Sequence, residues 1–277
     1  MAIIAGAFLG YYALAPELLT PGPAGGEMTF LFGGAALLAV VVTRLIWGLG
    51  GAQVSARPAR MERSAIHAPQ SSFLWILILG ISLVVVILDL PLFHALNGLA
   101  LRTPLIDVPV QFLMNDYIVP TALVSALLAL WFAGRDDDER RDLQLTVLRA
   151  FVALALASVV LKLVNEIYFR PRPFTFDDSV RLLFYHPSDS SMPSNAATVC
   201  FALSIAVWLR QREWGVVMLT LGVGMTLARV VGGVHYPADI VAGAWLGGAS
   251  AWLVNRMAWL DDPLAAMTGI VHRLRLG

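Results

Sequence analysis

The stretch TVLRAFVALALASVVLKLVNEIY, from Thr146 to Tyr168, is apolar for long enough to cross a lipid bilayer. About 20 helical residues cross the hydrocarbon core of a membrane. Inside that core every backbone N–H and C=O group needs a partner, which a helix provides within the segment itself. The stretch therefore predicts a membrane-spanning helix, and it indicates an all-α, membrane-embedded class for the chain.

The composition supports this class. Of the 277 residues, 58% are hydrophobic and 14% are charged, whereas a soluble domain carries about 25% charged residues. The net charge is zero, so a basic surface for nucleic acid is not expected. The single cysteine, Cys200, excludes an intrachain disulfide framework. We expect the lipid bilayer to be a partner of this chain, and nucleic acid not to be one.

Six further apolar runs lie on either side of the first stretch. They are Thr29–Trp47, Ser72–Leu90, Tyr117–Ala133, Ala196–Leu209, Gly215–Val231 and Ala238–Ala258. Each predicts a spanning helix, so the chain is predicted to be polytopic. Residues 1–18 are also apolar, but Pro16 and Glu17 interrupt them, and we expect an interfacial or re-entrant segment there. The Pro- and Gly-rich residues 21–26 then form a linker, and the absence of Lys and Arg from Met1 to Ala15 argues against a cleaved signal peptide.

Arginine residues orient the predicted helices. They concentrate in four places: the loop Ala52–Ser71, the loop Arg135–Leu145, positions Arg210 and Arg212, and the C-terminal residues His272, Arg273 and Arg275. If seven helices alternate, these groups lie on one side, which the positive-inside rule makes cytoplasmic. Three loops then face outward: residues 91–116, 169–194 and 232–237. Four arginines on that outer side oppose the bias, which favours a functional role for them: Arg102, Arg170, Arg172 and Arg181.

The segment ARVVGGVHYPAD, residues 228–239, places three ionisable side chains at one predicted membrane interface. His235 follows a Gly-Gly pair, and Pro237 suits the first turn of the next helix. Asp239, four residues after His235, can reach one ring nitrogen and fix the tautomer, which leaves the other nitrogen as a nucleophile. Arg229 is suited to binding an anion. Ionisable groups at a membrane interface are costly without a function, so this segment is a candidate active site.

Two other outward segments carry groups that suit a phosphate. Arg170-Pro171-Arg172-Pro173-Phe174 holds two guanidinium groups at a spacing fixed by prolines, and such groups match tetrahedral oxyanions. Pro193-Ser194-Asn195 precedes a predicted helix, and the free N–H groups of a helix N-terminus bind phosphate.

Together the three segments resemble the signatures of the type 2 phosphatidic acid phosphatase superfamily, membrane lipid phosphatases related to vanadium haloperoxidases. Residues 229–239 resemble the third signature, Arg-x5-His-x3-Asp, and residues 170–174 resemble the first, Lys-x6-Arg-Pro. Residues 193–195 resemble the second, Pro-Ser-Gly-His, in its Pro-Ser-Asn-His form. The Arg-Pro-Arg-Pro-Phe form is similar to that of bacterial undecaprenyl-diphosphate phosphatases.

The resemblance implies three regions: an N-terminal addition at residues 1–71 with one spanning helix and a cytoplasmic loop, a six-helix phosphatase core at residues 72–258, and a cytoplasmic tail at residues 259–277. It implies hydrolysis of a lipid phosphate or prenyl diphosphate, above all undecaprenyl diphosphate to undecaprenyl phosphate, a reaction of cell-wall biogenesis. The site would face the outer side of the plasma (inner) membrane. His235 would attack phosphorus to give a phosphohistidine, and Asp239 would orient its ring. Neither a metal nor another cofactor is expected.

The resemblance also implies which residues hold the phosphoryl oxygens: Arg172, Arg229, Ser194 and Asn195, with Arg170 and Lys162 assisting. The strict register of the first signature places Asn165 where the family has lysine. Lys162, the only lysine of the chain, lies one helical turn earlier on the same face. It could extend to the phosphate or pair with Glu166, and the sequence leaves both open.

Ala196 is the main departure from the family pattern. The family has a histidine there, which protonates the leaving oxygen and then activates water. Loss of such a group lowers the rate by about 10²–10⁴-fold, so we expect this chain to be inactive or attenuated. The alanine is either a deliberate inactivation that traps a bound state or a natural divergence in which His186 substitutes. Because a diphosphate expels a phosphate monoester, a better leaving group than an alkoxide, some first-step activity on a prenyl diphosphate is expected.

Two other functions remain open at this point. One is a lipid phosphotransferase of the same superfamily, and the other is a non-catalytic lipid-phosphate binder or transporter, which a native Ala196 would favour. The oligomeric state is also open, because the Gly243-x3-Gly247 pattern suits a helix contact within the chain as well as a dimer.

Overall fold

The computed structural model describes residues 70–183 and 185–273, and every regular element in these ranges is a helix. The helices are α1 (Gln70–Ile87), α2 (Asp89–Asn97), α3 (Pro104–Met114), α4 (Ile118–Phe132), α5 (Asp137–Ile167), α6 (Asn195–Trp208), α7 (Arg212–Val231), α8 (Pro237–Arg256) and α9 (Asp261–Arg273). Short 3₁₀ turns lie at Pro173–Thr175 and Ala258–Leu260. The predicted span Thr29–Trp47, the segments 1–18 and 21–26, and the arginines of the loop before Ser71 lie outside the described residues.

The all-helical, membrane-embedded class is confirmed. α5 and α7 are each long and apolar enough to cross a membrane, and the pairs α1–α2 and α3–α4 meet the same test as bent spans, with bends of 79° and 55°. α6 has 14 residues, fewer than the roughly 20 that a straight span needs. α8 has 20 residues but does not meet the same test of apolar character. Both helices are central, since α6 packs against α5, α7 and α8.

The predicted outer loop at residues 91–116 is largely helical, because it contains most of α2 and all of α3. The apolar run Ser72–Leu90 breaks at Leu88. The Asp89 carboxylate that follows accepts a hydrogen bond from the Ala238 N–H at 2.7 Å. Pro104 begins α3, where its missing N–H costs nothing. The predicted tail at residues 259–277 likewise contains a helix, α9. Short helices without a long apolar run are not visible to a search for spans.

Close packing of α8 on α6 positions the second and third signatures. A Cβ atom at Gly243 would lie 2.6 Å from the Ser194 carbonyl oxygen, and one at Gly247 would lie 2.4 Å from the Thr198 carbonyl oxygen. Only glycine allows the two backbones to come this close. The Gly243-x3-Gly247 face is therefore used for a contact within the chain.

The opposite end of α8 is held by a buried arginine. Arg149 of α5 is 1% exposed, donates to the carbonyl oxygens of Val254 and Met257, and pairs with Asp261 at the start of α9. Near it, Arg210 pairs with Asp142 at 2.8 Å and joins two of the arginine-rich segments. The bundle thus has an arginine-rich end and, at the other end of α8, the end that carries the signature motifs.

Candidate active site

His235 lies in the turn between α7 and α8, with 1% of its surface exposed. Its Nδ1 atom is 2.9 Å from the Ser191 carbonyl oxygen, which can only accept, so Nδ1 carries the proton. Nε2 is then unprotonated, and it lies 3.3 Å from the Arg172 guanidinium. The hydrogen-bond pattern assigns the tautomer in which Nε2 has a lone pair, as a nucleophile requires.

Burial keeps this ring neutral. Loss of solvation lowers the pKa of His235 from 6.5 to about 4, and the nearby charges of Arg229 and Arg172 act in the same direction, against Asp239. The imidazole is therefore uncharged near neutral pH, and its Nε2 lone pair is available.

Asp239 is fully buried at the first turn of α8. Its Oδ2 atom is 3.7 Å from Nδ1 of His235, which is too long for the direct hydrogen bond expected from the sequence. Ser191 connects the two instead: its carbonyl oxygen accepts from His235, and its hydroxyl donates to Asp239 Oδ2 at 2.5 Å. The Tyr236 N–H also donates to Oδ2, at 2.8 Å, which holds the carboxylate in place.

Arg170 lies between two carboxylates. One nitrogen is 2.6 Å from Asp239 and another is 2.7 Å from Asp89, and the guanidinium stacks 4.2 Å above the Tyr236 ring centroid. Burial of Arg170 opposes its charge, but Asp239 and Asp89 outweigh this and raise its pKa. The Arg170 charge is thus already balanced, and the residue links the α1–α2 bend to the start of α8.

Arg172 is the arginine that touches the His235 ring. It is 4% exposed, and Nη1, the atom next to His235 Nε2, also donates to the Val234 carbonyl oxygen at 2.8 Å. Its other terminal nitrogen pairs with Asp189 at 2.8 Å. A phosphoryl group bound to Arg172 would therefore lie beside Nε2, in position for attack.

Arg229 has a similar arrangement at the end of α7. Its Nη1 atom pairs with Asp116 at 2.5 Å and donates to the Met114 carbonyl oxygen. Its buried Nε atom has no hydrogen-bond partner among the described residues. The Tyr185 hydroxyl donates to the other oxygen of Asp116, and burial together with this carboxylate raises the pKa of Tyr185 to about 12.

The second signature forms the start of α6. Ser194 caps the helix, since its hydroxyl accepts from the Ala197 N–H, and its own N–H donates to the Asp239 carbonyl oxygen at 3.0 Å. Asn195 is exposed and donates its amide to Asp189 at 3.1 Å. Ala196 is the second residue of the helix and is 9% exposed. A histidine at position 196 would lie at the same helix end as Ser194 and Asn195.

Three other predicted residues lie without a polar contact to His235 or its partners. Lys162 is exposed on α5, and no ion pair joins it to Glu166, which is exposed as well. Asn165 is half-buried, and its side-chain oxygen has no partner among the described residues. His186 is exposed, and its ring packs edge-on against Phe174 at 4.9 Å between centroids.

Of the four outer arginines, Arg181 contacts the end of α2 through the carbonyl oxygens of residues 98 and 100.

Four residues of the site were not found from the sequence: Asp89, Asp116, Asp189 and Ser191. Asp89 had a usable signal, because it is the only charged residue in the apolar run Ser72–Leu90, and such residues mark functional sites. The other three lie in connecting segments, outside the motif residues. Within the described ranges, no group of three or more His, Cys, Asp or Glu side chains converges as metal ligands do.

Comparison with known proteins places this arrangement in a family. Residues 146–262 match the PAP2 superfamily. The chain is 32% identical to undecaprenyl-diphosphatase BcrC of Bacillus subtilis (strain 168), over 54% of this chain and 74% of that protein. It is 26% identical to the bacitracin transport permease protein BcrC of Bacillus licheniformis, over 58% of this chain and 75% of that protein. The crystal structure of Aquifex aeolicus LpxE is similar with a TM-score of 0.48 and 23% identity, covering 61% of this chain and 95% of that one. This chain, a multi-pass membrane protein, therefore belongs to the PAP2 superfamily, the lipid phosphatases whose signatures its sequence carries.

Proposed function

We propose that the chain hydrolyses a prenyl diphosphate, undecaprenyl diphosphate, to the monophosphate through a phosphohistidine at His235. The observation that carries this proposal is the buried, neutral ring whose unprotonated Nε2 lies 3.3 Å from Arg172. The relative named undecaprenyl-diphosphatase supports the choice of substrate.

In the first step, Nε2 of His235 attacks the terminal phosphorus. The ring becomes positively charged, and its Nδ1–H remains bonded to the Ser191 carbonyl oxygen while the Asp239 carboxylate stabilises the charge from 3.7 Å. Arg172 and Arg229 hold the phosphoryl oxygens, which requires the substrate to displace Asp189 and Asp116 from them. Electrostatic positioning of this kind provides most of the catalysis in phosphoryl transfer.

Ala196 limits the reaction at its proton transfers. An alanine can neither protonate the leaving oxygen nor accept a proton from the water that cleaves the phosphohistidine. The diphosphate tolerates the first loss better than a lipid monophosphate would, because its leaving group is a phosphate ester. We therefore propose an attenuated enzyme, in which hydrolysis of the phosphohistidine is slower than its formation.

We place the site on the outer face of the plasma membrane, with residues 72–258 as the catalytic core. The arginine-rich end of the bundle, joined by the Arg210–Asp142 and Arg149–Asp261 pairs, supports this orientation. Clusters of arginine in short loops favour the cytoplasmic side.

A lipid-phosphate binder is the second candidate. It is favoured by one observation: buried arginines that suit a phosphate remain in a site whose acid–base position holds an alanine. A binder would retain a prenyl diphosphate without releasing phosphate.

The two candidates are separated by phosphate release from undecaprenyl diphosphate, measured in detergent with EDTA. The parent chain is compared with its Ala196→His variant, and the double variant Ala196→His, His235→Ala is the control. We expect the histidine to raise turnover by about 10²-fold or more, the size of a general acid–base contribution, and the control to be inert. If the parent and Ala196→His are both inert on this substrate and on shorter prenyl and glycerolipid phosphates, while the lipid still binds, the protein is a binder.

A further inference from the structure

Asp189 contacts two of the residues predicted to hold the phosphoryl oxygens, Arg172 and Asn195. Its Oδ1 atom pairs with Arg172 at 2.8 Å, and its backbone carbonyl oxygen accepts from Nε of the same arginine at 3.2 Å. Its Oδ2 atom accepts from the Asn195 amide at 3.1 Å. The side chain is half-exposed, so a substrate and water can reach it. One guanidinium group therefore connects this carboxylate to Nε2 of His235.

Asp189 can be compared with Asp116, the other carboxylate paired with a phosphate-binding arginine. Both are partly exposed, and each forms one short ion pair, with Arg172 and Arg229 respectively. The second partner differs. Asp116 is bonded to Tyr185, whereas Asp189 is bonded to Asn195, the first residue of α6 and the neighbour of Ala196. Of these two carboxylates, Asp189 is the one at the helix end where the family has its acid–base histidine.

We propose that Asp189 provides the proton transfers that Ala196 cannot, as the acid of the first step and the base of the second. This inference rests on the proposed function, because it assumes that His235 attacks a phosphorus held by Arg172. A bound diphosphate takes over the guanidinium of Arg172 and places further negative charge beside the Asp189 carboxyl group.

The two steps then balance. As the bond from Nε2 to phosphorus forms, the bond from phosphorus to the bridging oxygen breaks, and that oxygen takes its proton from Asp189. Water then attacks the phosphohistidine, its proton passes to the Asp189 carboxylate, and the electron pair of the N–P bond returns to Nε2. The products are prenyl phosphate and inorganic phosphate, and Asp189 ends with the proton it began with.

A general acid is recognised by its dependence on the leaving group, so the test uses two substrates. Undecaprenyl diphosphate has a leaving group that benefits from protonation, whereas p-nitrophenyl phosphate releases a stabilised anion that needs no acid. We expect Asp189→Asn to lower kcat on undecaprenyl diphosphate by about 10²-fold, the usual contribution of an acid–base group. The first-turnover burst of p-nitrophenolate should be retained. Asp178→Asn, the control, removes an exposed carboxylate of the same outer segment that forms no ion pair with the site arginines, and it should leave both kcat and the burst near those of the parent.

A further variant adds a readout that a purely structural role would not change. In the Ala196→His background the histidine takes over the proton transfers, so Asp189→Asn should cost much less there than in the parent chain. Equal loss of the burst and of turnover in Asp189→Asn would overturn the proposal, because it would show that Asp189 only positions Arg172. So would a parent chain that is inert while Ala196→His turns over, an outcome that leaves the proposed function standing. If Ala196→His is inert as well, the proposed function itself fails.

Discussion

Ser191 orients the His235 ring through two groups, its carbonyl oxygen and its hydroxyl. Its carbonyl oxygen holds Nδ1–H, and its hydroxyl holds Asp239, so the carboxylate acts on the ring through a serine. The arrangement keeps the negative charge of Asp239 within 3.7 Å of the ring and still leaves the ring neutral before reaction. A ring that becomes positive only during attack gains most from that charge in the transition state, which is the condition for faster chemistry.

The low pKa of His235 predicts an unusual pH dependence for the first step. Only the neutral ring attacks phosphorus, and burial lowers its pKa to about 4, so the rate of phosphohistidine formation should not be limited by protonation of His235 at any pH above about 5. It should fall as pH decreases through about 4. The measurement is single-turnover labelling with base quench, because phosphohistidine is labile in acid. A midpoint near the ordinary value of 6.5 would show that the ring is solvated in the working protein.

The same shift affects stability with a definite sign. The folded pKa lies below the unfolded one, so protons bind preferentially to the unfolded chain between pH 6.5 and about 4. The contribution of His235 to the free energy of unfolding is complete above pH 6.5 and decreases as the pH falls through this interval.

At the residue scale the sequence predicts what lies on one turn or one helix end. His235, Asp239 and Arg229 were identified because fixed spacing along the chain brings them to one interface. Ser191, Asp189 and Asp89 come from other segments, and packing of α2, α6 and α8 brings them to the ring or to the arginines beside it. His235 and Asp239 form a pair at 3.7 Å and not a direct hydrogen bond. The i, i+4 spacing brings side chains to hydrogen-bond distance in a regular helix, whereas His235 precedes Tyr236, the N-cap of α8.

The arrangement of the site depends on the contact between α6 and α8. Ser194 at the start of α6 donates its N–H to the Asp239 carbonyl oxygen on α8, so the distance between the helices sets the distance between the second and third signatures. That distance is set by glycine.

Gly247→Ala tests this contact against Gly248→Ala on the same helix. A Cβ atom at Gly247 would meet backbone atoms of α6 at 2.4 and 2.7 Å, whereas one at Gly248 would meet only the end of the Ile205 side chain, at 3.0 Å. We expect Gly247→Ala to destabilise the protein by about 1–3 kcal/mol, the usual cost of overpacking. Gly248→Ala should be near neutral, because the helix gains propensity and the isoleucine can rotate. Thermal unfolding in detergent measures both, and equal midpoints would mean that the helices separate without cost.

At the element scale, hydropathy predicts most of the long helices within about three residues of their ends, because burial in lipid is a property of composition. The exception is α5, which begins at Asp137, so the predicted loop Arg135–Leu145 is largely helical. The charged first turns of that helix carry no apolar signal.

Hydropathy does not predict α2 and α3, which are short and bend away from their neighbours at Leu88 and near Asn115. Those bends depend on long-range partners such as the Ala238 N–H bound to Asp89. A search for apolar runs also predicts α6 as a spanning helix, although α6 is too short to cross the membrane alone.

For the molecule as a whole, the two ends of the bundle predict a labelling pattern. Asp178 lies near the signature motifs and Asp138 lies at the arginine-rich end, and both are exposed. The single native cysteine, Cys200, is fully buried and gives little background. In intact cells, a membrane-impermeant maleimide should label Asp178→Cys, and it should label Asp138→Cys only after lysis. The reverse pattern would place the site on the cytoplasmic face.

The pairing of the site arginines also determines how a substrate is captured. Three guanidinium groups, those of Arg170, Arg172 and Arg229, form ion pairs with four carboxylates. Such a site projects little positive field beyond its opening, so it cannot draw anions from a distance as an open basic cleft does. Dissolved phosphates should therefore compete poorly, and encounter should depend on lateral diffusion of the lipid, with little change in the association rate as ionic strength rises. The lipid tail confines the substrate to the membrane, and this confinement would replace the long-range electrostatic attraction that paired arginines do not provide.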